Sequence, residues 1–278
     1  MKSMVKRNIK LYFRDKTNMF FSMLSVVIII ALFALFLGQG NWGSDEIRDS
    51  WLMAGVLAVA TVTTALGAFS IMVEDKVGKI TKGFYASPIK RSHIAAAYII
   101  SPFVVSVIMT MITAIAFGLY IVATSGDMPD IMGLLQLIGL ILLSSINATA
   151  IVCFMVSFLK TNSAYGTVST IVGTLAGFLM GIYIPIGDLP GAMQTVIMLF
   201  PPAHAAMLFR RILMEKPLEA AFESTAGALD LTAIQETLGV AFSFGTFEVT
   251  PIMSIVFLAA SAILFFGLSV MNIRKAGR

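Results

Sequence analysis

The sequence predicts an all-α integral membrane protein of six transmembrane helices, preceded by an amphipathic helix at the membrane surface. Three observations carry this. None of the 19 basic or 15 acidic residues falls within six apolar stretches, 19–37, 51–73, 94–124, 131–159, 161–184 and 251–271. Each stretch is long enough to cross a ~30 Å hydrocarbon core at 1.5 Å per residue. The chain is 58% hydrophobic and 12% charged, about half the charge of a soluble domain. The apolar runs are unbroken rather than alternating, which selects helices over a barrel, the other structure that satisfies its backbone within lipid.

In chain order, the first element is the segment 1–18. Met4, Val5, Ile9, Tyr12 and Phe13 fall on one half of a helical wheel, and Lys6, Arg7, Lys10 and Arg14 on the other. This predicts a helix lying flat on the inner leaflet with its basic face toward anionic head groups. The apolar run that follows is too long for a signal peptide and lacks a small-residue cleavage pattern before Gln39, so it reads as an uncleaved first span. Residues 19–271 form the six-span domain and 272–278 a cytoplasmic tail. The third and fourth stretches exceed what a crossing needs, and Pro102 predicts a kink near the start of the third.

Charge on the connections orients these spans. Basic residues gather before the first span, in the 74–93 loop, at Lys160 and in the tail, whereas the alternate connections carry only Arg48, Arg210, Arg211 and Lys216 together with most of the acidic residues. By the positive-inside rule both termini are cytoplasmic, in a plasma (inner) membrane protein. The basic balance thus tracks topology, with the lipid bilayer and its anionic inner leaflet as partner and nothing calling for nucleic acid. The lone Cys153, deep in the fourth span, forms no internal disulfide and reads as packing.

The 74–93 loop is the segment richest in functional signal. Ile80 and Phe84, four apart, share one face of a short helix whose other positions include Lys and Thr. Gly78 allows a tight turn into that helix, and Pro88 stops it, because a residue before proline is pushed out of the helical region. An apolar knob in a charged surround suits docking into a groove on a soluble partner.

The spacing Glu74-x-x-x-Gly78, with Ser87-Pro88-Ile89-Lys90-Arg91 about ten residues on, resembles the first cytoplasmic loop of the type-2 ABC exporter permease family. The basic helix before the first span, the six spans with both ends inside, and Phe200-Pro201-Pro202 before the last span are similar to that family's architecture. The sequence departs from it at Gly78-Lys79, where many members have Gly-Thr. The resemblance implies that 74–93 holds a cytoplasmic coupling helix receiving motion from a separate ABC-type ATPase subunit. Glu74, Gly78, Ile80, Phe84 and Pro88 are then the coupling residues, Glu74 as an acidic contact or cap and Gly78 as a close backbone approach. It also implies a dimer with a second permease subunit, and ATP and Mg held by the ATPase rather than by this chain. No phosphate-binding loop is present: Gly78-Lys79 has Val73 where the upstream glycine belongs and lacks the following Ser or Thr.

Inside the spans, Ser169, Gly173, Gly177 and Gly181 recur every four residues, a small-residue ridge for close helix packing. Thr61, Thr64 and Ser70 are polar residues of the second span that read either as interhelical hydrogen bonds or as the lining of a translocation surface shared with the fifth. The external segment 185–250 contains two short apolar runs, 191–200 and 203–214, separated by Pro201-Pro202 and read as re-entrant helices; Asp188 is the expected cap of the first, and 217–238 a polar surface segment. His93 and His204 lie at opposite faces, so no metal site is expected, and no nucleophile, acid and base share a side, so no catalytic residue is assigned. The span cores lack the charged relays of proton-coupled carriers.

The sequence reading is therefore a permease subunit of an ATP-driven exporter, with a non-transporting membrane scaffold that recruits a cytoplasmic partner as the alternative. Its orientation is checked with single cysteines in a Cys153→Ser background. A membrane-impermeant maleimide is expected to label Glu223→Cys in intact cells and Lys82→Cys only after permeabilisation; the opposite pattern inverts the topology.

Overall fold

The computed structural model describes residues 1–35, 44–124, 129–224, 230–245 and 247–276. The end of the first expected span (36–37) and of the expected tail (277–278) lie outside them. The described residues form α1 (Lys2–Arg14), α2 (Lys16–Leu35), α3 (Asp45–Val77), α4 (Ile80–Ala86), α5 (Arg91–Thr124), α6 (Ile131–Ser157), α7 (Asn162–Leu179), α8 (Gly191–Leu199), α9 (Pro201–Ser224), α10 (Leu231–Leu238), a hairpin β1 (Phe242–Phe244) and β2 (Phe247–Val249), and α11 (Pro251–Ala276). Among them α3, α5, α6 and α11 are each long and apolar enough to cross a membrane. The expected first and fifth spans hold α2, of 20 residues, and α7, of 18.

The fold is organised around α3. It opens on Ser44, whose hydroxyl accepts from the Ile47 amide at 3.2 Å, with Asp45 and Glu46 in a first turn that favours negative charge. From Trp51 to Phe69 nearly every residue is buried, with α2, α5, α6, α7 and α9 packed around it. Its many alanines let those neighbours approach closely, which is how helices associate where lipid removes the hydrophobic gradient between them. Hydrogen bonds tie the layers: Ser106 of α5 donates to the Thr61 carbonyl at 2.9 Å, Tyr165 of α7 to the Leu66 carbonyl, and Asn147 of α6 to Leu258 and Ser261 of α11 at 2.9 and 2.6 Å. On the far side of the bundle α11 packs on α6 and α9.

Several expectations are corrected. α1 does not merely rest on lipid: Met4, Asn8 and Tyr12, one turn apart, are buried against α3 and α5, so its apolar stripe is used within the protein. Pro102, the expected site of a kink, lies inside α5. Neither Pro201 nor Pro202 separates two helices; Phe200 does, and the prolines occupy the first turn of α9, where a missing amide costs nothing. α9 continues through Pro217 to Ser224 instead of ending near Met214, because Met214 and Leu218 are buried on either side of the proline. α8 and α9 meet at 94°, and together are long and apolar enough for a broken span or a re-entrant pair. Asp188 does not cap α8: it lies in a 3-10 turn, Ile186–Asp188, and Pro190 holds the cap position. The hairpin, turning at Gly245 with φ +64, is an addition to the all-α expectation, and α11 extends past Met271 into the expected tail.

The small-residue ridge also ends early. α7 stops at Leu179, and Gly181, with φ +62, belongs to the turn that sends the chain back rather than to a helix face. That turn lays Tyr183 over Gly177, where an added Cβ would stand 2.3 Å from the ring.

Arg210 of α9, fully buried, fixes this turn. One guanidinium nitrogen donates to the Met180 and Gly181 carbonyls at 2.8 and 2.7 Å, and the plane lies 5.0 Å from the Trp51 ring, whose indole N–H donates to the Leu238 carbonyl at 2.8 Å. The ends of α7 and α10 and the start of α3 are thereby joined. His204 serves similarly: one ring nitrogen meets the Ser254 hydroxyl at 2.9 Å, the other the Met198 carbonyl at 2.7 Å, and its ring packs on Phe242 of β1 and Phe257 of α11. His204 is buried, at 4% exposure.

Replacing Arg210 by Met leaves two buried carbonyls without a donor and is expected to destabilise the fold by about 1–3 kcal/mol. Thermal unfolding of the detergent-solubilised protein reads this, and an unchanged transition would remove Arg210 as the anchor.

Candidate functional site

The last turn of α3 and the short helix after it form the site. α3 ends at Val77, and Gly78 caps it by donating to the Glu74 carbonyl at 2.8 Å. The sharp change of direction falls on the next residue. Lys79, not Gly78, takes the left-handed conformation, with φ +60 and ψ 13, while Gly78 stays at φ −72. A left-handed conformation at a residue with a Cβ costs about 1–2 kcal/mol and is held by the structure on both sides. α4 then runs to Ala86; Ser87 is extended ahead of Pro88 and its hydroxyl donates to the Phe84 carbonyl at 2.6 Å.

No residue of α4 is fully buried. Ile80 and Tyr85 are 46% and 53% exposed, flanked by the exposed Val77 and Ile89. Phe84 is half-buried against the cluster of Met4, Ile94, Ala97 and Tyr98. Ile80 and Phe84, four residues apart, stand on one side of this helix, Phe84 half-buried and Ile80 exposed.

Behind Phe84 lies an ion pair. Asp75 is 3% exposed, and Arg7 of α1 grips it with two guanidinium nitrogens at 2.6 and 2.9 Å. Tyr98 of α5 donates its hydroxyl to the same carboxylate at 2.6 Å, and Arg7 also donates to the Asn8 side chain at 3.0 Å. The Arg7 guanidinium sits 5.3 Å from the Phe84 ring centre. Hydrogen bonding to Asp75 raises the Arg7 pKa above its ordinary value, against the opposing effect of burial. One carboxylate thus joins α1, α3 and α5, and its cation touches α4. Nearby, Lys76 donates to the Leu159 carbonyl at 3.1 Å and Asn272 to the Ser157 hydroxyl at 2.7 Å, which bring the ends of α6 and α11 to the same level.

Sequence reasoning did not single out Asp75. Glu74 is exposed, its carboxyl pushed up by partial burial and by the nearby Asp15 and Asp75, and it does not cap α4, whose cap position is Lys79 without a side-chain bond. Asp75 could have been found from helical phase, since it continues the buried face of Ile71 one turn earlier. Arg7, assigned to the lipid-facing side of α1, was the missed partner.

Thr61, Thr64 and Ser70 are buried inside the subunit, and the Thr61 and Thr64 hydroxyls donate to the Ala58 and Ala60 carbonyls of their own helix. No face open to a solute is formed by these residues in this structure. α7 instead presents exposed Thr167, Thr170 and Thr174, each bonded to a carbonyl four residues back. Of the ridge, Gly177 is buried under Tyr183 while Ser169 and Gly173 are half-buried.

The profile of a family described as ABC-2 family transporter protein matches residues 43–271. The match takes in α3 to the body of α11, and with them Asp75, α4 and Arg210; α1 and Arg7 fall before it. No curated protein matches the chain.

Removing the charge of Asp75 and of Arg7 separately and together, as Asp75→Asn and Arg7→Met, tests the junction. The coupling between them is expected to be about 1–2 kcal/mol, below the value for a fully buried pair because a third of Arg7 meets solvent. Additive effects in thermal unfolding would show that the pair does not join α1 to α3.

Proposed function

The chain belongs to the ABC-2 transporter family and is a membrane permease component of an ABC transporter, and from that premise we propose that it is the permease subunit of an ATP-driven exporter, moved by a separate ATPase that docks on α4. Six spans, α2, α3, α5, α6, α7 and α11, cross the plasma (inner) membrane with both termini in the cytoplasm, and α8 and α9 re-enter from outside. Two permease subunits, alike or different, pair with two ATPase subunits, which hold ATP and Mg; this chain supplies the pathway and no catalytic group.

The observation that carries this reading is how α4 is seated on the bundle. The exposed side chains of Ile80 and Tyr85 are open to a partner, and Phe84 rests on Arg7 at the ion pair joining α1, α3 and α5. A push on α4 is therefore delivered to two spanning helices and the surface helix as a unit. Closely packed helices shift between discrete arrangements rather than deforming gradually, so such a push selects between inward-facing and outward-open states. The uncharged span interiors suit a hydrophobic or amphipathic cargo better than a small ion.

The test is to purify the chain gently from its native membrane and identify what accompanies it by mass spectrometry. A stoichiometric protein with a phosphate-binding loop is expected with the wild type. Ile80→Asp or Tyr85→Asp is expected to weaken that association by about 30-fold, the factor for a hot spot of ~2 kcal/mol, while membrane insertion is unchanged. Reproducible absence of such a protein, or retention in both variants, would overturn docking on α4. A partner retained in reconstituted vesicles that drives no flux would select the scaffold reading.

A further inference from the structure

A cavity of about 280 Å³ lies between α3, α5, α6 and α9, at the opposite end of α3 from Asp75. Its inner wall is apolar: Met53, Leu137, Ile141 and Leu213 are all buried. On its open side stand Ile115 of α5 and Ile138 of α6, 63% and 41% exposed, on two helices long and apolar enough to span a membrane. Water would find few partners in such a hollow, since an ordered water needs two to four polar groups. An acyl chain entering between α5 and α6 would find apolar contact along the whole wall.

At the rim the chemistry changes. Glu46, in the first turn of α3, and Lys216, in α9, both line the cavity, and Ser50 adds a hydroxyl. A carboxylate and an ammonium at the mouth of an apolar cleft match a molecule with a long chain and a head of both charges. A purely anionic head would meet Lys216 but set its charge beside Glu46, and a hydrocarbon would use neither.

From this juxtaposition we infer that the cavity binds one acyl chain of a zwitterionic aminophospholipid from the surrounding bilayer, with its phosphate against Lys216 and its ammonium against Glu46. The lipid fills the space between four helices and acts as a packing element of the subunit. In the proposed topology the site lies in the outer leaflet; only that choice of leaflet rests on the proposed function.

Native mass spectrometry of the full chain, taken from nanodiscs of equal phosphatidylethanolamine and phosphatidylglycerol, reads the site without any ATPase or transport. One phosphatidylethanolamine is expected to remain bound, preferred roughly tenfold, about 1.4 kcal/mol. Glu46→Gln and Lys216→Ala, at half-exposed and exposed positions, are expected to abolish the preference, and Ala114→Phe, which projects into the cavity, to abolish retention. Wild type without a retained lipid overturns the site, and equal retention of the two lipids, or rim variants that behave as wild type, overturns the headgroup assignment. If Ala114→Phe does not fold, the rim variants decide alone.

Discussion

A carboxylate withdrawn from water at the end of a spanning helix has to be neutralised locally, and the way Asp75 is neutralised dictates how one end of this molecule is built. Its countercharge comes from α1, its third hydrogen bond from α5, and the cation that completes it supports the ring of Phe84. The cost of burying the charge is met only when all these helices are in place. α1, which would otherwise be a loosely held surface helix, becomes part of the bundle, and α4 acquires a fixed seat although it has only seven residues.

The other end solves a different problem by a different route. There the chain reverses repeatedly, through the Gly181 turn, the 94° bend between α8 and α9, and the hairpin before α11. Reversals leave carbonyls without helical partners, and a buried cation supplies the donors: Arg210 serves the end of α7 while stacking on Trp51. His204 does the same for the end of α8. One end of the bundle is thus organised by an acid that gathers donors, the other by bases that gather acceptors. α3 reaches both, which makes it the rigid connection between them.

What could be read in the sequence follows from which physical signals are local. Apolar runs are local, so the long apolar helices α3, α5, α6 and α11 were legible, whereas α9 outran its apolar run and Asp188 did not cap α8. Side-chain partnership is not local. Asp75 and Glu74 are equivalent in a charge count and differ only in helical phase; the same holds for Arg7, which a wheel diagram assigned to the basic face beside Lys6 and Lys10. Glycine was a misleading guide in both directions. Gly78 permits a left-handed turn that Lys79 takes instead, and Gly181 continues a four-residue repeat although it has already left the helix. Prolines misled likewise, since Pro217 interrupts no helix when core residues flank it. The Phe242–Val249 alternation around Gly245 carried a period of two that was overlooked inside a mostly helical chain.

The Arg7–Asp75 pair also imposes an order on biogenesis. Arg7 leaves the ribosome 68 residues before its partner, and Tyr98 follows Asp75 by 23 more. Throughout that interval α1 has an apolar stripe and no protein to cover it, so the membrane surface is its temporary host, and amphipathicity that is spent on α5 in the mature subunit first serves as a mooring. Docking of α1 then marks the moment at which α3 and α5 have both been inserted in register. A nascent chain in which α5 is delayed or inverted would display an undocked α1 and a bare Asp75, a state that a membrane protease or insertase could distinguish from the finished protein.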